Sequence, residues 1–283
     1  MAEAVHFLNG ELVSEGALKV SVRDLGFARG YAVFDFLITY PTHRPFMLGR
    51  HIDRLFNSAA LIGLALPWSK EDIHGFVMQT LSANSGGGEK AIKITLSGGI
   101  SSSLAPENDP TIVIVVDPKH DFPAAYYEKG VGIITEKFTR YIPSAKSYNY
   151  IVGVRQMLRA EKAGAVEPVY YDDTQVFEGA TCNVFALIGG KLLTPKTNIL
   201  RGITRGVLLS VLELGVPVEE ADFSIDALRA ADEVFLTASN KEVMPVTAID
   251  GTPVGSGKVG EAAKEAMRQF REYTLSDEWT DQS

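Results

Sequence analysis

Residues 169–205 read VYYDDTQVFEGATCNVFALIGGKLLTPKTNILRGITR, and the alternation in this stretch decides the fold class. Short β-branched and aromatic runs, Val169–Tyr171, Val176–Phe177 and Asn183–Ile188, are separated by polar turns, the last closing on Gly189-Gly190. Helical spacing then takes over at Thr204–Leu214 and stops at Gly215. The same mixture extends outward. Towards the C-terminus lie a strand at Val234–Thr237, a hairpin turn at Asp250-Gly251 and a final helix at Lys258–Tyr273, with a polar, frayed tail beyond Leu275. Towards the N-terminus lie a strand at Val131–Thr135 and a helix at Ile151–Ala163, whose Ile151, Val154 and Leu158 form its apolar stripe.

The N-terminal part is richer in strands. Asn9-Gly10 joins Val5–Leu8 to Glu11–Val13, and Tyr31–Tyr40 is a long strand-forming run. A helix follows over Gly49–Leu64, with Ile52, Leu55, Ala59 and Ile62 on one face, then one capped at Ser69 and ending near Asn84. Strands at Ala91–Leu96 and Thr111–Val116 flank a Ser/Gly/Pro-rich segment. The polar, proline-bearing stretch Asp117–Lys129 reads as a link. The expected class is α+β, with a small N-terminal α/β domain over 1–118, an interdomain loop over 119–130 and a larger domain over 131–283, and a ligand site between the two domains.

The chain has 283 residues, 46% hydrophobic and 22% charged, enough to bury a core unaided and unlike a disordered or fibrous chain. A net charge of −8 argues against nucleic acid or an anionic membrane as partner. The single Cys182 excludes an intrachain disulfide and suits a reducing compartment; with no membrane-length apolar run and no signal-like start at Met1–Val5, a cytoplasmic location is expected. Gly255-Ser256-Gly257-Lys258 lacks the first glycine and the Ser/Thr of a phosphate loop and reads as a turn. The five histidines lack metal-ligand spacing, so no metal is expected, and Cys182 reads as packing.

Several remaining residues suit a phosphorylated, cationic ring ligand. Gly202 before the helix start near Thr204 lets backbone N–H groups approach an anion, although many such loops look alike. Thr237-Ala238-Ser239-Asn240 after a strand serves equally as anion contact or cap. Arg54 lies off its helix's apolar stripe, either solvated or anion-binding. Lys146 stands among Tyr141, Ile142, Tyr148 and Tyr150; such neighbours would favour the neutral, nucleophilic amine, and the alternative is a surface lysine. Glu178 either caps the next turn or faces a cationic ring nitrogen.

From Phe7 to Phe270 the chain resembles the class IV, or fold type IV, pyridoxal-phosphate aminotransferases. The matching runs are Asp24-Leu25-Gly26 with Gly30–Asp35, His51-Ile52-Asp53-Arg54-Leu55, Lys146–Tyr150, Glu178–Phe185, Leu200–Arg205, and Asp232–Thr237 with Glu242–Val246. The resemblance implies two α/β domains with pyridoxal 5′-phosphate between them, and ping-pong transfer of an amino group between an amino acid and a 2-oxo acid. It implies that Lys146 forms the internal aldimine and moves the proton, that Glu178 pairs with the ring nitrogen, and that Arg54, Ile203, Thr204 and Ser239 hold the phosphate. Tyr150 matches a tyrosine that bonds the ring oxygen in some members.

For the substrate carboxylate, the loop Ser97–Leu104 lacks the Arg-x-His pair of the familiar D-amino-acid enzymes, and Lys93 stands where branched-chain enzymes carry an arginine. Arg29 is similar to an arginine in a smaller set of D-amino-acid transaminases; it is either a carboxylate contact or a dimer-surface residue. Tyr31, Phe36, Lys93 and Tyr148 are pocket or core. D-amino acids are the favoured substrates; branched-chain L-amino acids and an aminodeoxychorismate lyase activity are the alternatives within the family, and a non-catalytic binder of a phosphorylated ligand the alternative outside it. The resemblance further implies a homodimer.

Overall fold

Asn9 and Gly10 take φ of 48° and 102°, the left-handed pair of a two-residue hairpin, and join β1 (Val5–Leu8) to β2 (Glu11–Ser14). The computed structural model, which describes residues 4–41 and 43–279, builds the first of two units from this hairpin. After a short helix α1 (Leu25–Arg29) come β3 (Ala32–Ile38), α2 (Leu48–Leu61), α3 (Lys70–Ala83), β4 (Lys90–Ser97) and β5 (Thr111–Pro118). The strands form one antiparallel sheet in the order β2-β1-β5-β4-β3. Ser69 accepts from the Asp72 N–H and Asp72 accepts from the Ser69 N–H, a reciprocal cap that fixes the start of α3. Ile52, Leu55 and Ala59 of α2 and Ile73 and Val77 of α3 bury against Val33, Leu37, Ile92 and Ile94 of the sheet.

The second unit contains α4 (Ala124–Glu128), β6 (Val131–Lys137), α5 (Ile151–Lys162), β7 (Glu167–Tyr171), β8 (Val176–Gly179), β9 (Asn183–Ile188), β10 (Lys191–Thr194), α6 (Ile203–Ser210), β11 (Val218–Glu220), α7 (Ile225–Arg229), β12 (Glu233–Ala238), β13 (Glu242–Ile249), β14 (Thr252–Pro253) and α8 (Glu261–Leu275). Its nine-stranded mixed sheet runs β11-β10-β9-β12-β13-β6-β7-β8, with β14 on β13. The pairs β10–β11, β13–β6 and β6–β7 are parallel.

The division by contacts falls between His120 and Asp121, and it returns Ala145–Asn149 and the chain from Thr274 to the first unit. The cause is local for the first of these segments. Ser147 bridges Val33, the Phe34 N–H bonds the Lys146 carbonyl (2.9 Å), and the Tyr148 N–H bonds the Ala32 carbonyl (3.0 Å), so the segment pairs with the edge of β3. Part of the expected link is helical, as α4.

Three expectations are corrected. The stripe Ile151, Val154 and Leu158 of α5 is exposed (76%, 58% and 54%), and the buried face carries Gly153, Gln156 and Ala160 instead. The helix expected over Thr204–Leu214 is shorter, as α6. The tail beyond Leu275 is anchored, because Trp279 is buried against Phe46 at 5.0 Å and its indole N–H donates to the Thr274 carbonyl; residues 280–283 lie outside the described part. Among the described residues no helix is long and apolar enough to cross a membrane, and no group of three or more His, Cys, Asp or Glu could hold a metal ion.

Candidate active site

Strand β3 turns Val33, Asp35 and Leu37 towards α2, which brings a carboxylate into the core of the first unit. A carboxylate fully out of water needs donors. Helix α2 supplies them from positions three apart: the His51 Nδ1–H donates to Asp35 Oδ1 (2.7 Å), and Arg54 donates through Nε to Oδ2 (2.9 Å) and through a terminal nitrogen to Oδ1 (2.8 Å). Burial alone would raise the Asp35 carboxyl; Arg54, then His51, outweigh it and hold it well below the usual carboxylate range. Burial also pushes the His51 imidazole down against the pull of Asp35, with Arg54 and Lys146 adding to the fall, so the ring is neutral at pH 7. With Nδ1–H given to Asp35, its Nε2 is a buried lone pair with no hydrogen-bond partner.

Lys146 sits on the edge segment beside β3. Its own N–H donates to Ser58 Oγ (3.1 Å), and Ser58 donates to the Arg54 carbonyl (2.8 Å), so the backbone of Lys146 is tied to the helix turn that carries Arg54. Its amine lies 4.7 Å from the centre of the Phe34 ring. Phe34 and Phe36 point to the opposite face of β3 from Asp35 and pair with Thr95 and Lys93 of β4. On that face Lys93 lies 5.1 Å from Phe34 and 5.0 Å from Tyr148, whose hydroxyl bonds Thr95 (2.8 Å). Among the described residues no carboxylate is within ion-pair reach of Lys93. Tyr31 is committed elsewhere: its hydroxyl donates to the Ile62 carbonyl (3.2 Å) and its ring packs on the core. Arg29 ends α1 on the surface, its guanidinium bonded to the Ala28 carbonyl.

In the second unit Glu178 is buried at the end of β8. Its Oε2 accepts from the Leu200 N–H (2.9 Å) and Asn183 Nδ2 (3.3 Å), and its Oε1 pairs with Arg140 Nε at 3.1 Å. Arg140 lies against the rings of Tyr150 (5.3 Å) and Tyr170 (5.5 Å) and donates to the Ala180 carbonyl (2.5 Å). Burial opposes its charge, but Glu178 outweighs burial and holds the guanidinium protonated. Burial raises the Tyr150 phenol and pushes the Tyr170 phenol up to about 12.

Helix α6 begins at Gly202 with no side-chain cap, which leaves the first N–H groups, those of Ile203 and Thr204 among them, unclaimed by the helix. A Cβ on Gly202 would stand 2.0 Å from Asn183 Oδ1, so only glycine lets the Asn183 amide brace this loop, through its 2.8 Å bond to the Leu200 carbonyl. Thr237 pairs with Asn183 across β12 and β9 and so shares its face. The Thr237 hydroxyl is buried without a partner. Ser239 follows in the turn between β12 and β13. Arg205 anchors the helix from behind, bonded to Glu220 (2.7 Å) and to the Pro195 carbonyl (2.8 Å). An uncapped helix start, a loop that tolerates no Cβ and an orphaned hydroxyl on one sheet face together make an anion cradle.

The family model for class IV amino-transferases matches residues 32–249. The chain belongs to the class IV aminotransferase family. Over 281 residues this aminotransferase is 34% identical to a D-alanine aminotransferase of Staphylococcus aureus (strain MW2), covering 95% of this chain and 98% of that one. A T.th. branched-chain amino acid aminotransferase with pyridoxamine 5′-phosphate superposes with a TM-score of 0.90 at 25% identity, covering 99% of this chain and 98% of that one. A fold IV-transaminase from Curtobacterium pusillum superposes with a TM-score of 0.80 at 29% identity, over 94% and 93% of the two chains. The class IV aminotransferase is an enzyme of the fold type IV group, and its cofactor is pyridoxal 5′-phosphate. The non-catalytic alternative falls with that. The residues fit the cofactor: the orphaned Thr237 hydroxyl and the open start of α6 suit its phosphate, and Glu178, held by two donors and an ion pair with Arg140, suits a cationic ring nitrogen.

Sequence reasoning gave no role to Asp35, His51, Arg140 and Asn183, and placed Thr237 only within a turn that serves equally as anion contact or cap. His51 and Arg54, three apart on a predicted helix, are a signal for a shared buried partner. Arg140 carried none, since its partners Glu178 and Ala180 lie about forty residues onward.

Proposed function

We propose that this aminotransferase moves amino groups between D-amino acids and 2-oxo acids, with Lys146 as its catalytic amine. The observation that carries the Lys146 assignment is its backbone, pinned through N–H to Ser58 and through the carbonyl to Phe34, with its amine against an aromatic ring. A pinned backbone limits where Nζ can travel, which is what a proton-moving base needs. When bound, pyridoxal phosphate supplies the aldehyde that takes up the amino group and the ring that spreads the charge left by the α-proton. Lys146 Nζ takes the α-proton and returns it. Glu178 offers its carboxylate to the ring nitrogen as a fixed negative charge, and Tyr150 offers a phenol to the ring oxygen. Arg54, the N–H groups of Ile203 and Thr204, and the Ser239 hydroxyl hold the phosphate; they position and do no chemistry.

Lys93 and Arg29 are assigned to the substrate carboxylate, and Tyr31 to the pocket wall. Lys93 supports this best, as a cation whose partners among the described residues are two rings and no acid. The D-alanine aminotransferase relative supports the D-amino acid reading. Branched-chain L-amino acids remain the second reading, favoured by the similar branched-chain aminotransferase structure and by the place of Lys93 in β4. The exposed apolar row on α5, with Tyr141 exposed at 86%, supports a homodimer. The lone buried Cys182, its thiol pushed well up by burial, supports a reducing, cytoplasmic setting.

A half-reaction screen tests the substrate reading. D-amino acids added singly to the yellow holoenzyme are expected to bleach its absorbance and release the 2-oxo acid without any acceptor. Bleaching by L-leucine, L-valine and L-isoleucine alone would overturn it.

A further inference from the structure

Lys241 is a lysine that the roles above leave unused, and it is one of the most buried charges in the second unit. It stands in the turn between β12 and β13, two residues after Ser239, and is 4% exposed. Its amine reaches Glu167 Oε2 at 3.2 Å and Thr181 Oγ1 at 2.6 Å, and lies 5.6 Å from the Phe122 ring. Glu167, at the start of β7, has no exposure. Its Oε1 accepts from the Thr181 N–H at 2.6 Å, and both its oxygens are about equally close to the Thr181 hydroxyl (3.1 and 3.0 Å). Thr181 closes the turn that follows Glu178. A Cβ on Gly179 would meet Cys182 Sγ at 2.4 Å and Glu167 Oε1 at 3.1 Å, so that turn is pressed directly onto the carboxylate. Tyr127 fixes the other end, its hydroxyl donating to the Lys241 carbonyl at 3.2 Å.

We propose that Lys241 and Glu167 are positioning residues that lock the Ser239 turn to the turn behind Glu178, and so hold the phosphate contact and the ring-nitrogen contact at a fixed separation. This rests on the roles given above to Ser239 and Glu178. The turn behind Glu178 runs into β9, whose first residue Asn183 pairs with Thr237 of β12, while β8 itself lies at the far end of the sheet order. The ladder ends at that pair, so it does not itself hold Thr181 and the Ser239–Lys241 turn beyond it. A directional, fully bonded ion pair does, because sliding either turn would strip a buried charge of its partner. An apolar pair of equal volume would fill the same space and tolerate the slide. Burial works against the Lys241 charge, and Glu167 outweighs it and keeps the amine protonated.

The test replaces both charges at once, Lys241→Met with Glu167→Gln, so that neither is left buried alone. The apoprotein is expected to melt within a few degrees of the parent, while the affinity for pyridoxal phosphate, titrated into the apoprotein, falls about tenfold, the scale on which neighbouring sites couple. The absorbance maximum of the bound cofactor is expected to shift as well. Lys241→Arg, which keeps the charge, is expected to restore both readings. Thr181→Val, which keeps the ion pair and removes its hydroxyl contact with the turn, is expected to weaken binding in the same direction by a smaller factor and serves if the double variant does not fold. Unchanged affinity and spectrum, or a lower melting point with affinity unchanged, would overturn the proposal. Ser239→Ala and Glu178→Gln run alongside: if these leave affinity and spectrum untouched, the fault lies in the site reading and not in the strut.

Discussion

Each unit places an arginine against a buried carboxylate, and the two pairs are built in opposite senses. Asp35 is wholly enclosed, takes two bonds from Arg54 and one from His51, and is held strongly anionic. It is wholly buried, and it supports Arg54, the group proposed above to hold the phosphate. Glu178 takes one contact from Arg140, while Arg140 is spread over two tyrosine rings and the Ala180 carbonyl. There the arginine is the support, and the carboxylate is the group proposed above to face the ring nitrogen. The same pair of side chains can thus present either sign of charge. What differs is the arginine's bonding: Arg54 gives two bonds to its carboxylate, whereas Arg140 gives its terminal nitrogen to the Ala180 and Gly179 carbonyls and a single Nε contact to Glu178.

This asymmetry can be broken from either side. Asp35→Asn removes the anion that Arg54 and His51 share, and breaking a buried pair in this way typically costs about 3–5 kcal/mol. Urea denaturation of the apoprotein is expected to report a loss on that scale; a loss under about 1 kcal/mol would mean that Asp35 is no support. Glu178→Gln keeps one oxygen to accept from Leu200 and Asn183 and loses the ion pair with Arg140. It removes the fixed charge, and each unit of lost pKa support at the ring nitrogen is worth about 1.4 kcal/mol, or about tenfold in the proton step. Single-turnover rates equal to those of the parent would remove Glu178 from that role. The smallest effect is a pH dependence. His51 is held neutral in the folded state, below its ordinary value of about 6.5, so unfolding takes up a proton once the pH drops below that value. Its contribution is complete above about pH 6.5 and is lost as the pH falls towards the folded-state value, by at most about 1.4 kcal/mol per pH unit. His51→Gln should flatten this limb in denaturation curves taken between about pH 5 and 7. The Asp35 limb, from a carboxyl held below its usual range, should remain at lower pH, where that anion is finally protonated.

How much was legible in the sequence follows from the range of each interaction. Asn9-Gly10, the Ser69 cap and Asp250-Gly251 are set by neighbours a few residues away, and they appear where turn and cap chemistry put them. The stripe on α5 is equally local, yet periodicity tells only that one helix face is apolar, not what it meets. Ile151, Val154 and Leu158 face outward, because the buried side of α5 uses Gly153 and Ala160 to approach the sheet closely. Trp279 escaped because a polar tail with one aromatic anchor has no period at all. Lys146 has aromatic neighbours in sequence, and a ring against its amine in the fold, Phe34, is far away in sequence. Arg140, Asp35 and Lys241 were not readable, since their meaning lies in partners that only the folded sheets supply.

The most direct measurement is to reduce the yellow holoprotein with borohydride, digest it and locate the pyridoxyl adduct by mass spectrometry. The account predicts one modified peptide, carrying the adduct on Lys146, and no adduct in Lys146→Ala. An adduct on Lys93, Lys241 or any other lysine, or a reduced protein with no adduct, would contradict it.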